Sequence, residues 1–173
     1  MLAAYTFVHV VLSLVGIGSG FVVLFGLIGG KRLDGWTKLF LVTTVTTSAT
    51  GFGFPVHSLM PSHVIGILSL IVLAVAIIAR YTRGLAGGWT KAYVICSAFA
   101  LYFNVFVLVV QAFRRVSFLN ELAPTQSEPP FAIVQVAVMA LFVVLTTLAV
   151  KRFHLAVTPT GAQPFAKSAR SGI

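Results

Sequence analysis

The sequence is poor in charged residues. Only 9% of its 173 residues are Asp, Glu, Lys or Arg, and just three of these are acidic, whereas 58% of the residues are hydrophobic. A water-soluble domain of this size needs more polar surface than such a composition supplies. The shortage of charge therefore excludes an ordinary soluble domain, and a mean hydropathy of +1.03 indicates a protein of the lipid bilayer.

Cysteine and the common catalytic motifs are also scarce. Cys96 is the only cysteine, so an intramolecular disulfide is impossible, and we expect a buried, inert thiol. The sequence contains no Ser-His-Asp set, no phosphate-binding glycine loop and no metalloprotease motif. No residue can be assigned a catalytic role from these patterns.

Long apolar runs, in contrast, are abundant. In lipid the backbone amides must be satisfied within the segment, so such runs form helices, and about 20 residues cross a hydrocarbon core of roughly 30 Å. We predict an all-α bundle of five transmembrane helices in one domain, 1–155, followed by a flexible cytoplasmic tail, 156–173. The predicted spans are residues 3–28, 39–55, 60–79, 89–113 and 131–150.

The second predicted span is the least apolar, because it is rich in Thr and Ser. It is long enough to cross a membrane only if its ends extend into the interfaces. The hydroxyl groups are expected to bond back to carbonyls one turn earlier and to help the helices pack closely. A polar conduction path is the alternative.

The formal net charge of +9 is distributed unevenly along the chain. Ten of the twelve basic residues lie in or flank the connection between the first and second spans and that between the third and fourth, or follow the fifth span. Only Arg114 and Arg115 fall on the other side. This asymmetry predicts an outer N-terminus and a cytoplasmic C-terminus. The basic charge is then a determinant of topology, with some attraction to anionic lipid, and not a nucleic-acid interface.

A short repeat indicates an internal duplication. The residues Gly-Trp-Thr-Lys occur at positions 35–38 and again at 88–91, and a His-Val pair precedes each copy at nearly the same distance, at His9 and His63. An aromatic residue followed by Lys is also a generic interfacial anchor. The second landmark favours two tandem helical hairpins related by a pseudo-two-fold axis along the membrane normal, with a fifth helix added.

Polar side chains are concentrated at the predicted outer end of the bundle. Polar groups inside a membrane are costly and by default mark function, so we predict a ligand pocket there. For Asn104 a hydrogen bond that bridges two helices is the competing interpretation. The predicted pocket residues are Asn104, Gln111, Arg114, Arg115 and Gln135.

The histidines suggest two cofactor hypotheses. His9 and His63, at equivalent positions of the repeat, could supply an axial pair for haem b in a four-helix core. His57, Met60 and His63 form a set suited to copper, and zinc would prefer a carboxylate to the thioether. The alternative for all three histidines is that they cap helices and meet lipid headgroups at the outer interface.

One part of the chain carries a resemblance. Residues 121–131, Glu-Leu-Ala-Pro-Thr-Gln-Ser-Glu-Pro-Pro-Phe, together with 102–111 before them, resemble a group of small uncharacterised bacterial inner-membrane proteins with no assigned activity. The resemblance implies a bacterial origin and the inner membrane, and carries over no catalytic residue.

Three functions are compatible with this sequence. The first is a redox membrane protein that binds haem through His9 and His63. The second is a carrier or receptor for a small anionic molecule at Gln111, Arg114, Arg115 and Gln135, because the two arginines oppose the positive-inside trend. The third is a non-catalytic subunit or assembly factor of a larger membrane complex. The sequence pattern is compatible with all three, and with either an enzyme or a protein without catalytic activity.

Overall fold

The computed structural model describes residues 2–53 and 61–157, and within them helices are the only regular secondary structure. Within these ranges the side chains of residues 61–63 and 154–157 are not described. A π-helical turn, Ile78–Thr82, continues the third helix. The helices are α1 (Leu2–Ile28), α2 (Asp34–Gly51), α3 (Pro61–Ile77), α4 (Gly88–Arg115), α5 (Ser117–Leu122) and α6 (Pro129–Val157).

Four of these helices are long and apolar enough to cross a membrane. They are α1, α3 with its π turn, α4 and α6, and they correspond to the first, third, fourth and fifth predicted spans. The less apolar α2 is not among them, so the second predicted span stays a prediction. α6 continues to Val157, two residues into the predicted tail. The rest of that tail, residues 158–173, lies outside the described part of the chain.

The helices pack as two adjacent hairpins with a fifth long helix at one side. α1 lies along α2, and α3 lies along α4. Between the hairpins, α2 contacts α3 and α1 contacts α4, while α6 packs against α1 and α4. We call the end of the bundle that carries the turns 29–33 and 83–87 the hairpin end, and the end that carries residues 116–128 the loop end.

Glycine on α1 allows the helices to approach closely. A Cβ atom added to Gly20 would lie 2.6 Å from Cδ1 of Leu101 on α4 and 2.9 Å from Cε2 of Phe40 on α2. Small residues at such crossings let helices gain packing contacts that lipid cannot supply. The contact explains how α1 reaches both α2 and α4 from a single face.

Replacement of Gly20 by Val is expected to lower the thermal unfolding midpoint measured in detergent. The added side chain must displace the Phe40 ring, and overpacking of this kind costs about 1–3 kcal/mol. Gly18→Val is the matched control, because no atom lies within 4 Å of a Cβ at Gly18 and the loss of helix propensity is the same. Equal midpoints for the two variants would contradict the close crossing.

The hydroxyl groups of α2 follow two patterns. Thr43, Thr46 and Thr50 each donate to a carbonyl four residues earlier, at 2.7, 2.8 and 2.7 Å, as the sequence predicted. Thr44 and Ser48 instead make contacts outside the helix. Thr44 Oγ1 accepts from Asn104 Nδ2 at 3.4 Å, and Ser48 donates to Ser69 Oγ at 3.0 Å.

Contacts between the two hairpins follow one stripe of α2. Besides Thr44 and Ser48, Thr37 Oγ1 lies 3.3 Å from the Tyr93 hydroxyl and Asp34 pairs with Arg80. Residues 34, 37, 44 and 48 are spaced so that they share one helix face. The least apolar helix therefore turns its polar face to the second hairpin. On the opposite side of α2, Val42 and Leu39 are exposed, by 56% and 40%.

The buried faces of the two hairpins share a common register. Each of the following pairs is separated by the same number of residues as Gly35 and Gly88: Gly20 and Leu73, Val23 and Ala76, Thr37 and Thr90, Phe40 and Tyr93, Leu41 and Val94, Thr44 and Ser97. His9 and His63 are one residue further apart. In the register of the buried faces, the counterpart of His63 is therefore Val10.

Candidate functional site

Three of the five predicted pocket residues come together at the loop end. Gln111, Arg114 and Arg115 line an open depression of about 320 Å³ at the C-terminal end of α4. All three side chains are exposed. Arg115 Nε donates to Gln111 Oε1 at 3.3 Å, which orients the guanidinium group and leaves its two terminal nitrogens free of that bond.

The other two predicted pocket residues lie elsewhere. Asn104 is about two turns deeper in α4 and bridges to Thr44 of α2. Gln135 donates through Nε2 to the Phe106 carbonyl of α4 at 3.3 Å, which joins α6 to α4. Within the described residues its buried Oε1 has no hydrogen-bond partner. The structure thus gives these two amides helix-bridging contacts, away from the depression.

The connection between α4 and α6 is ordered against the end of α4. Asn120 Nδ2 donates to the Phe113 carbonyl at 3.3 Å, and Gln126 Nε2 donates to the Val110 carbonyl at 3.0 Å. The backbone N–H of Val116 donates to the Ala112 carbonyl. Two of the last four carbonyls of α4, those of Ala112 and Phe113, thus receive donors from the connection, and Gln126 fastens the connection to the helix one turn earlier.

Glu128 is engaged within its own turn. Its carboxylate accepts hydrogen bonds from the hydroxyl and backbone N–H of Thr125 and from the backbone N–H of Ser127. Slight desolvation raises the pKa of Glu128, but these hydrogen bonds outweigh it, and the pKa is lowered from its ordinary value. The carboxylate is therefore ionised at neutral pH and holds the turn before α6.

The residues of the cofactor hypotheses are only partly within the described structure. His9 Nδ1 lies 2.9 Å from Thr50 Oγ1, which links α1 to the end of α2. His57 and Met60 lie outside the described residues, and His63 lies in the first turn of α3 with a side chain that is not described. Among the described residues no group of three His, Cys, Asp or Glu side chains is placed to hold a metal. Both cofactor hypotheses stay predictions.

A buried arginine at the hairpin end is the main polar feature that the sequence analysis missed. Only 4% of the Arg80 side chain is exposed. Its Nη2 pairs with Asp34 of α2, and its Nη1 donates to the Tyr93 hydroxyl of α4 at 3.3 Å. The guanidinium carbon lies 5.3 Å from the centre of the Tyr93 ring, within reach of a cation–π interaction.

The local backbone gives Arg80 this position. It lies in the π turn Ile78–Thr82, closed by a hydrogen bond from Arg83 N to Ile78 O at 2.9 Å. Such turns insert a residue into a helix and are frequent at functional sites. Gly84 and Gly87, with φ of 56° and 54°, then reverse the chain into α4, which glycine does without a side-chain penalty.

The charge pattern of the sequence gives Arg80 only a role in topology, whereas the structure buries it. A signal was present, because Arg80 follows Leu73 and Ala76 at helical spacing on the buried face of α3. Asp34 was a second signal, since it is the only acidic residue near the basic segments of the hairpin turns. Neither signal alone identifies the partner, because the pairing depends on how α2 packs beside the π turn.

No protein-family model, curated protein or solved structure matches this chain. Its function has therefore to be inferred from the two polar sites described above, the exposed arginine depression at the loop end and the buried Arg80 at the hairpin end.

Proposed function

We propose that this protein is a bacterial inner-membrane receptor or carrier that binds a small anionic molecule at the loop-end depression. The observation that carries the proposal is the pair Arg114 and Arg115, exposed beside Gln111 around a depression of about 320 Å³. Every other Lys and Arg within the described residues belongs to the hairpin end. The positive-inside trend gives no reason for this pair, whereas an anionic ligand does.

The chemistry of the depression suits a carboxylate or phosphate. A guanidinium group presents two parallel N–H donors that match such anions. Gln111 accepts from Arg115 Nε, so its amide nitrogen is available as a further donor. The depression is open, so a ligand there is held by charge and hydrogen bonds and not by enclosure.

A simpler explanation of the two arginines is weakened by the hydrogen bonds at the end of α4. Basic residues in a last helical turn often compensate the unpaired carbonyls there, which contributes about 0.3–1 kcal/mol. Here two of those four carbonyls already have donors, because the backbone N–H of Val116 donates to Ala112 and Asn120 donates to Phe113. Capping therefore explains less of the arginine pair than it would at a bare helix end.

The proposal includes a membrane topology of five spans with the N-terminus outside. The distribution of the cations supports this orientation, and the resemblance of residues 102–131 supports the bacterial inner membrane. The stripe of α2 supports a fifth span, because its polar groups face the second hairpin while Val42 is exposed on the other side. The loop end would then face away from the cytoplasm.

The proposal also includes an internal duplication of the α1–α2 and α3–α4 hairpins. The common register of the buried faces supports it, as do the equivalent contacts of α2 with α3 and of α4 with α1. Tandem parallel repeats of this kind are related by an axis along the membrane normal in several transporters.

The anion site is tested by titrating the purified protein with succinate and inorganic phosphate in a calorimeter. Arg115→Gln is expected to weaken binding at least tenfold, because a hydrogen bond to a charged group contributes about 1.5–3 kcal/mol. Arg152→Gln removes the same charge at an exposed position of the opposite end and is expected to bind like the unmodified protein. If both variants bind equally well, or if neither anion binds the unmodified protein, the proposal fails.

The haem hypothesis has less support. His9 is engaged with Thr50, and the register of the buried faces does not place His63 opposite to it in the repeat. The interpretation as a non-catalytic subunit has no specific observation in its favour. We therefore prefer the anion site to both.

A further inference from the structure

We propose that Arg80 forms a second anion site at the hairpin end, which binds a phosphate-bearing anion, either a phospholipid headgroup or free phosphate. In the unliganded protein the carboxylate of Asp34 pairs with the Arg80 guanidinium group and takes the position of the anion. This site is independent of the loop-end depression, because it lies at the opposite end of the bundle.

The burial of the Arg80 pair is unequal. The Arg80 side chain is 4% exposed, whereas that of Asp34 is 79% exposed. Removing a guanidinium group from water costs several kcal/mol, and one carboxylate repays that cost only with excellent geometry and further hydrogen bonds. Asp34 is held from one side only, so it can turn into water and release Nη2 of Arg80 to another anion.

The helix packing itself does not require charge at this place. In the register of the buried faces, the counterparts of Arg80 and Tyr93 in the first hairpin are Leu27 and Phe40, which are 2% and 1% exposed. An apolar pair therefore fills the same position in the first hairpin. Arg80 and the Tyr93 hydroxyl are additions whose cost has to be offset by another role, and anion binding is such a role.

The surroundings of Arg80 favour a phosphate. Lys31 and Lys38 flank Asp34 in the chain, and Arg83 and Lys91 flank the turn before α4; all four are exposed. Local charge is therefore positive and attracts anions.

The depth of Arg80 matches that of a lipid phosphate. It lies in the last turn of an apolar helix of membrane-spanning length, Val64–Thr82. Trp36 and Trp89 are exposed near the start of α2 and α4, as is typical of residues at the headgroup level. A headgroup phosphate can therefore reach the guanidinium group, and basic pockets between helices at this level bind such groups.

The test follows thermal unfolding of the detergent-purified full chain during titration with short-chain phosphatidylglycerol. Short-chain phosphatidylcholine and inorganic phosphate are the comparison ligands. All variants are made in an Arg115→Gln background, so that the loop-end depression does not contribute and the two proposals can fail separately. We expect phosphatidylglycerol, and not phosphatidylcholine, to raise the midpoint; an equal effect of inorganic phosphate would identify free phosphate as the ligand.

Two variants distinguish a binding site from a structural ion pair. Asp34→Asn is expected to bind the anion at least tenfold more tightly, because the competing carboxylate is gone, and Arg80→Lys at least tenfold more weakly, because the planar fork is lost. Arg152→Gln, which removes one exposed charge at the same end but on α6, is expected to change affinity less than twofold. The proposal is overturned if Asp34→Asn binds no more tightly than its parent, or if neither anion shifts the midpoint more than phosphatidylcholine.

Discussion

Val42→Asp in α2 is expected to remove most of the correctly folded protein from the membrane fraction. Val42 is 56% exposed and lies on the side of α2 opposite to the polar stripe. An Asp at the centre of a helix in hydrocarbon costs about 2.5–3.5 kcal/mol, which corresponds to a roughly hundredfold loss. The folded yield is measured by size-exclusion chromatography of a fluorescently tagged chain after extraction in mild detergent.

Gly35→Asp is the matched control for this experiment. Gly35 lies in the first turn of α2, and no atom lies within 4 Å of a Cβ at this position. An acidic residue there is favourable to the helix dipole, so the yield should stay unchanged. If Val42→Asp gave the same yield as Gly35→Asp, α2 would not contact hydrocarbon. The protein would then have four spans, and both termini would lie in the same compartment.

Asp34→Asn is expected to lower the free energy of unfolding by up to about 3 kcal/mol when no anion is added. Removal of one partner of a buried ion pair leaves the other charge uncompensated, which typically costs 3–5 kcal/mol. The lower value applies because Asp34 itself is largely exposed. The change is measured by thermal or SDS-induced unfolding in detergent.

A second substitution separates this effect from damage to the helix. Arg80→Leu installs the residue type that Leu27 provides in the first hairpin, so Asp34→Asn combined with Arg80→Leu should recover most of the lost stability. Replacement of a buried ion pair by apolar residues of similar size is often neutral or stabilising. Losses that simply add in the double variant would show that the two side chains are not coupled.

The four long helices that meet the criteria for a membrane span followed directly from the sequence, because their apolar runs are long and nearly uninterrupted. The predicted first span, 3–28, agrees with α1, Leu2–Ile28. The second was placed at 39–55, but α2 begins at Asp34 and ends at Gly51. Hydropathy places the start of a helix too late when its first residues are polar. Asp34 and Lys38 belong to α2 but not to its apolar run.

The loop-end depression was predictable in part. Arg114 and Arg115 were noticed because they oppose the charge asymmetry, and Gln111 follows from helical spacing to Arg115. Asn104 and Gln135 were assigned to the same pocket from their depth and spacing alone. Their actual partners, Thr44 and the Phe106 carbonyl, belong to other helices, and no spacing rule within one helix identifies such a partner.

The sequence by itself determined which segments are apolar, where the chain turns and at which end the cations gather, because these properties are sums over neighbouring residues. Only the tertiary structure decided that Arg80 is buried, that the polar stripe of α2 faces the second hairpin and that the two hairpins share a buried register. These features depend on the direction in which a side chain leaves its helix, on one extra residue in a π turn, and on which helix lies opposite.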